Sequence, residues 1–219
     1  MADAGALPIW DELNWDTVTG LYTERKATSD AMRGLLDQDD KAEQFTLLSF
    51  GPEQRGGGSA GNYSALVKGD ASYKPILDEN DKAELQRFAR TVAACQSVSD
   101  LVGVVEGTRP FGVGASVASE LAMMLAGGRF WTLNKKTIGG RSLVLRLGEG
   151  ATMAEALEYA RLVSSSEPPL RLYREMEPQM EAMAAAMAEH ATGLDLEGAR
   201  FIGADCVANT LFDDLIAQK

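Results

Sequence analysis

The chain has 219 residues with a formal net charge of −11, and 45% of the residues are hydrophobic. Its length allows one large domain or two small lobes with a sizeable core, and its mean hydropathy of −0.13 is typical of a water-soluble protein. No apolar run approaches the ~20 residues that a membrane span requires, and the first residues lack the basic and apolar regions of a signal peptide. We therefore expect a cytoplasmic protein without a membrane partner.

The chain offers few residues for catalysis or metal binding. Cys95 and Cys206 lie far apart without metal-type spacing, so we expect buried free thiols in a reducing compartment. His190 is the only histidine, and without a serine or cysteine nucleophile motif it is expected to be a charge at a helix end. The sequence thus predicts no catalytic residue, no metal and no cofactor, and favours a protein that is not an enzyme.

Residues 1–15 are predicted to form an extended N-terminal arm. Trp10 and Trp15 are set among acidic residues without helical periodicity. Such tryptophans are suited to docking into a groove, either on this subunit or on a neighbouring one. The alternative is that both rings cover the chain's own core.

Residues 16–219 are predicted to form one helical core domain, with an alternative division into two lobes, 16–110 and 111–219. Apolar residues recur at helical spacing from Asp16, which could itself cap the first helix, as could Thr17. The short apolar run Phe45–Phe50 ends at a glycine and a proline and predicts a strand or an extended link. Further helices are predicted near residues 80–95, 98–105, 115–126, 152–163, 170–190 and 196–216.

Gly56, Gly58 and Gly61 match the G-x-G-x-x-G pattern of dinucleotide-binding loops. That function requires a helix to begin directly after the glycines, so that its N-terminus faces the pyrophosphate. Loop-forming residues follow instead, and the P-loop lysine is missing. The pattern favours a flexible loop over a nucleotide site.

Residues 121–148 carry five cations and no Asp or Glu. Glycine pairs, cations and aromatic rings are what a groove for a nucleic-acid strand uses, with cations on the phosphates and rings on the bases. Glycine pairs beside a short apolar run also predict a two-stranded β-ribbon here. The alternative is a hairpin whose cations face the chain's own acidic surface. The candidate nucleic-acid-binding residues in this window are Arg129, Trp131, Lys135, Lys136, Arg141 and Arg146.

The C-terminal part is predicted to be helical. Thr152 and Glu155 form a capping box that begins one helix. The next helix has methionines at positions i, i+4, i+7 and i+11, a stripe typical of a core or a subunit contact. These residues are Met176, Met180, Met183 and Met187.

Leu170–Tyr173, followed by Pro178, and Arg200–Asp205 resemble the core signature of coat proteins from flexuous filamentous plant RNA viruses. The chain departs from that signature at Ala204 and Cys206, where the family has phenylalanines. In that family an arginine and an aspartate, with an upstream serine, help to hold the genomic RNA. The resemblance implies these roles for Arg171 and Asp205, and for Ser142 as the serine.

We therefore predict a mainly α fold, a helical bundle-like domain with a short β-ribbon and the N-terminal arm. The predicted function is that of a non-catalytic, self-assembling structural subunit. It would be a virion coat or nucleoprotein-like protein that packs around single-stranded RNA, with copies of itself as partners. Two alternatives stay open: a phage capsid or connector component that assembles without nucleic acid, and a small-molecule enzyme or anionic-ligand-binding domain that uses the glycine-rich loops.

Overall fold

The computed structural model describes residues 7–50, 76–126, 128–165 and 170–217. These residues are mainly helical and contain no strand, which confirms the predicted mainly α fold class. None of the described helices is both long and apolar enough to cross a membrane. The glycine-rich stretch Gly56–Gly61 lies outside the described residues.

The chain divides into two compact units. The terminal unit comprises residues 1–22 and 133–219, and the central unit comprises residues 23–132. Helix α1, Trp15–Leu36, contributes its first turns to the terminal unit and the rest to the central unit. This division differs from the predicted lobes, whose boundary lay near residue 110.

The prediction of an extended N-terminal arm is wrong for its described residues. Pro8–Glu12 forms a short 3-10 helix in which Ile9 and Trp10 are buried. The Trp15 indole donates to the backbone oxygen of Trp10 at 2.9 Å. Both tryptophans belong to the folded terminal unit, with Trp10 buried and Trp15 half-buried, because covering large rings there is more favourable than leaving them in water.

Asn14 caps α1, and its side-chain oxygen accepts from the Thr17 backbone N–H at 3.1 Å. The helix therefore begins ahead of the residues predicted to cap it, Asp16 and Thr17. The side chain of an asparagine before the first turn satisfies an N–H group that has no partner within the helix.

Within its described residues, the central unit continues with four longer α-helices, apart from the helical residues 76–79. The segment Phe45–Phe50, predicted as a strand or link, lies in the second helix, where Phe45 and Phe50 are buried. Periodicity cannot distinguish a short apolar strand from a buried helix, and here the buried helix forms. The Asp81 side chain caps the third helix, and Ser97 and Asp100 form a capping box on the fourth. The four helices are α2 (Ala42–Phe50), α3 (Lys82–Ala94), α4 (Val98–Glu106) and α5 (Ala115–Ala126).

The terminal unit holds the remaining helices and ends in a π-helical turn, Phe212–Ile216. The predicted capping box is confirmed, with the Thr152 side chain bonded to the Glu155 backbone and the Glu155 side chain bonded back to Thr152. The helices are α6 (Lys135–Gly148), α7 (Met153–Ser164), α8 (Leu172–Glu175), α9 (Glu177–His190) and α10 (Arg200–Leu211).

The predicted β-ribbon is also wrong, since most of its residues lie in α6. The second glycine pair of the predicted ribbon, Gly139 and Gly140, is buried in that helix. A Cβ on Gly140 would lie 2.7 Å from the Ala208 Cα, and one on Gly139 would lie 2.6 Å from the Phe212 ring. The glycines therefore serve close packing of α6 against α10 and the π turn, not a change in chain direction.

The methionine stripe is core. Met176, Met180, Met183 and Met187 are at most 1% exposed. A Cβ on Gly203 of α10 would lie 2.9 Å from the Met187 Cγ, so α10 packs closely over the end of the stripe. The alternative role as a subunit contact is wrong for these side chains, because they are already covered within the terminal unit.

Candidate functional site

The predicted nucleic-acid-binding residues are divided between the two units. Arg129 and Trp131 belong to the central unit, and the other seven belong to the terminal unit. The predicted residues therefore do not fall within one unit.

In the central unit, Arg129 is exposed and held against its own chain. Its guanidinium donates to the Gln96 side-chain oxygen at 2.8 Å and to the Ala93 backbone oxygen at 3.3 Å. It also lies over the Phe130 ring, 5.8 Å from the centroid. Trp131 is 1% exposed, so its ring is not available to stack on a base in this structure.

The cations of α6 point to different neighbours. The Lys136 ammonium lies 2.6 Å from an Asp213 carboxylate oxygen, and the Arg146 guanidinium lies 2.6 Å from Glu149. The exposed Lys135 ammonium lies over the Phe212 ring, 5.6 Å from its centroid. These contacts agree with the alternative interpretation, in which the cations face the chain's own acidic and aromatic surface.

Arg141 is the most enclosed of these cations. Its Nε donates to the Gln179 side-chain oxygen at 2.9 Å, and its Nη2 donates to the Glu175 backbone oxygen at 3.0 Å. Burial lowers the pKa of the Arg141 guanidinium, while Tyr159, Glu175 and Glu149 act in the opposite direction. An arginine still keeps its charge at neutral pH, so Arg141 joins α6 to residues 175–179.

Asp205 is the centre of a buried polar cluster between α6 and α10. The Thr137 hydroxyl donates to one carboxylate oxygen at 2.6 Å, and the Asn209 amide donates to the other at 3.0 Å. Asn134 caps α6 with bonds to the backbone N–H groups of Lys136 and Thr137. The Asp205 carboxylate thus lies near the positive end of the α6 dipole, where a negative charge is stabilised.

Arg171 and Asp205 are not brought together. Arg171 is exposed at the start of α8, whereas Asp205 is 1% exposed and bonded to Thr137 and Asn209. Ser142 is also buried, at 2% exposure. The arginine and aspartate that the coat-protein resemblance implies as an RNA pocket are therefore one surface residue and one core residue.

The single histidine lies at the end of α9 as predicted. Its ring stacks on Trp15 with centroids 4.6 Å apart and an angle of 4° between the planes. In the described part of the chain, no three His, Cys, Asp or Glu residues are grouped so that they could hold a metal ion. His190 is therefore placed by the structure in a ring contact of the terminal unit.

Comparison with protein-family models, with curated proteins and with solved structures gives no match. The resemblance to filamentous-virus coat proteins therefore rests on the residues of Leu170–Asp205 alone.

Sequence reasoning missed the partners of Asp205. Thr137 lies 68 residues before Asp205 in the sequence. Asn209 lies four residues after it. The spacing of Asp205 and Asn209, one helical turn on the same face, was a usable signal. The Thr137 contact had no local signal, because it depends on how α6 packs against α10.

Proposed function

We propose that this chain is a non-catalytic structural subunit, of virion coat or nucleoprotein-like type, that assembles with copies of itself around a nucleic-acid strand. The observation that supports assembly is an apolar pair on the outer face of α7. Tyr159 is 37% exposed and Leu162 is 69% exposed, and residues three apart in a helix are neighbours on its surface.

The rest of α7 explains why this pair faces outward. Ala156, Ala160 and Ser164 occupy its buried face, so the helix already covers its inner side with small residues. The Tyr159 ring is partly covered by the Arg146 guanidinium, 5.5 Å from its centroid, and Leu162 lies on the solvent side, where contact with another molecule would remove it from water. A second copy of the chain is the proposed partner of this face, which would meet a different surface of that copy if the assembly extends along a strand.

The side chains of the types most often used in catalysis have structural roles here. His190 stacks on Trp15, and Asp205 accepts hydrogen bonds from two core side chains. Both cysteines are buried. These placements support a structural subunit over an enzyme.

The test is the assembly state of the full chain, measured by sedimentation velocity and negative-stain microscopy with and without a 40-nucleotide single-stranded RNA. Leu162→Glu should shift the onset of assembly to at least about tenfold higher concentration, since it places a charge in an apolar contact. Ala185→Glu is the matched control, because it adds the same charge at an exposed position of α9.

A chain that stays monomeric at high concentration in both conditions would overturn the proposal. Assembly that neither needs nor binds the RNA would favour the capsid or connector alternative. A fall in assembly of equal size in both variants would show that added charge, rather than the α7 pair, is responsible.

A further inference from the structure

A groove of about 280 Å³ lies in the central unit between α3 and the turn that follows α4. Its lining combines apolar side chains with a cationic and hydroxyl-bearing rim. Phe88, Val104 and Pro110 supply the apolar part. The polar part consists of Glu84, Arg87, Thr91, Thr108 and Arg109.

The two arginines of the groove are presented to solvent. Arg87 is exposed on α3, and no ion pair of Arg87 is seen within the described part of the chain. The Arg109 Nη1 donates to the Val105 backbone oxygen at 2.8 Å, which places the guanidinium at the negative end of α4. That bond uses one of its several N–H donors. Glu84 is the single acid in the lining, so cations outnumber acids there in an otherwise acidic chain.

Phe111 follows Pro110 at the edge of this groove and is 62% exposed. Its backbone is fixed by Asn80, which accepts from the Phe111 N–H at 2.8 Å and donates to the Phe111 oxygen at 3.0 Å. The Val113 N–H bonds to the Pro110 oxygen at 3.2 Å and closes the turn.

Gly112 follows with φ of +76°, the value that the third position of a type II turn requires. A Cβ on Gly112 would lie 2.8 Å from the Ile76 Cγ1, so both sterics and backbone geometry select glycine there. The exposed phenyl ring is therefore carried by a backbone that is already ordered.

We propose that this groove, with Phe111 at its edge, binds a single-stranded nucleic acid. A base would stack on the Phe111 ring, and phosphates would contact Arg87 and Arg109, which is how sequence-tolerant strand binding works in general. Threonine hydroxyls on the rim can donate to phosphate or sugar oxygens. The inference rests on the proposed function, since it names the contact for the strand that the assembly encloses.

A strand of nucleic acid fits these observations better than an acidic peptide. An exposed ring that directly follows the groove residues Arg109 and Pro110 in the chain offers stacking, the two arginines of the lining offer phosphate contacts, and each base of a strand has a face to stack. An extended peptide gains affinity by adding to a sheet edge, and the described residues contain no strand.

The experiment uses the full chain and a fluorescein-labelled 12-nucleotide oligouridine, with binding followed by anisotropy at several salt concentrations. Phe111→Ala should weaken binding by at least about fivefold, because stacking on one ring is lost. Phe111→Tyr should keep most of the affinity, since it keeps the ring.

A plot of log affinity against log salt concentration has a negative slope for such binding. The double variant Arg87→Ala/Arg109→Ala should reduce the magnitude of this slope by about 1.4, because each phosphate contact to a single strand contributes about 0.7. Arg87→Ala alone should lower it by about half as much, and it leaves the Arg109 contact with α4 intact. The matched control is Lys135→Ala/Arg171→Ala, which removes two exposed cations from the terminal unit and should leave the slope unchanged.

A slope that falls in the Lys135/Arg171 variant and not in the Arg87/Arg109 variant would overturn the groove while leaving the proposed function in place. A wild-type chain that assembles but binds no oligouridine would overturn the groove and the nucleic-acid part of the proposed function together. Competition by poly-L-glutamate as strong as that by unlabelled oligouridine would assign the groove to an acidic polypeptide and would also overturn the inference.

Discussion

The cations of α6 and those of the groove between α3 and α4 show how differently two basic regions can be used. On α6, Lys136 and Arg146 each lie 2.6 Å from a carboxylate of the same chain. Arg141 is bonded to Gln179 and to the Glu175 backbone. In the groove, Arg87 is exposed without an ion pair in the described part of the chain.

A stretch of sequence without acidic residues therefore need not form a surface without acidic residues. Residues 121–148 contain no Asp or Glu, yet the π turn brings Asp213 to Lys136 from 77 residues away. The groove has Glu84 in its lining, and Glu106 directly precedes another lining residue in the sequence. It still presents two arginines to solvent. Charge available to a ligand is decided by packing, not by local composition.

The largest effect is expected from Gly140→Ala, which would break the packing that places the α6 cations against their partners. The new Cβ would meet the backbone of Ala208 at 2.7 Å, and overpacking of this kind costs about 3 kcal/mol. Urea unfolding of the full chain measures it. Gly148→Ala is the control on the same helix, because nothing lies within 4 Å of the added atom. Equal losses in both variants would refute close packing as the cause.

Asp205→Ala should have the next largest effect. It leaves the buried Thr137 hydroxyl without its carboxylate acceptor and removes one of the two Asp205 acceptors of the Asn209 amide, which keeps its bond to the Asp205 backbone oxygen; the cost is about 2 kcal/mol in unfolding free energy. Arg171→Ala, at an exposed position, should stay within about 0.5 kcal/mol of wild type. If the two variants instead weakened RNA binding equally and spared stability, the pocket implied by the coat-protein resemblance would be favoured over a core role for Asp205.

A direct comparison of the two regions comes from Arg141→Ala and Arg87→Ala. Removing Arg141 loses two hydrogen bonds of a half-buried side chain and should lower the unfolding free energy by about 1 kcal/mol. Removing the exposed Arg87 should change it by less than about 0.5 kcal/mol. Thermal unfolding of both proteins in the same buffer provides the measurement. A larger loss for Arg87 would show that it has a structural role.

The smallest effect is expected at the two capping boxes, one in each unit. Hydrogen bonds from the Gln96 backbone and from Ser97 lower the pKa of Asp100, and hydrogen bonds from Thr152 lower the pKa of Glu155. A carboxyl whose pKa is lower in the folded state stabilises the protein above its unfolded pKa of about 4. That stabilisation is lost as the pH falls through the folded value.

Asp100→Asn and Glu155→Gln should therefore lower the Tm slightly at pH 7, and the deficit should shrink as the pH falls below about 4, the ordinary pKa of these carboxyls. Tm values measured across this pH range would check the prediction. A deficit of the same size at every pH would mean that the charge of the carboxyl does not matter to the cap.

Local signals predicted much of this fold. The Thr152–Glu155 capping box is confirmed because both of its bonds join residues three apart. The methionines of α9 are buried as their helical spacing predicts. The prediction for Phe45–Phe50 was wrong because a six-residue, mostly apolar segment fits a helix or a strand equally well, and only packing within the central unit decides between them.

The candidate site was less predictable, since its features depend on distant partners. Gly139 and Gly140 contributed to the predicted β-ribbon, but their role is to admit Phe212 and Ala208. Arg171 and Asp205 match a short sequence pattern. Whether the two side chains meet depends on how their helices pack, and the local sequence does not encode that packing. The turn that carries Phe111 could have been noticed, because Gly112 supplies the residue type that the third position of a type II turn requires.

The two buried cysteines divide evenly between the units, with Cys95 in the central unit and Cys206 in the terminal unit. Burial raises the pKa of the Cys95 thiol, and alkylating reagents attack the thiolate rather than the thiol. Each sulfur therefore reacts on the timescale at which its own surroundings open. Peptide mapping after timed alkylation would give one opening rate for each unit from a single unlabelled chain.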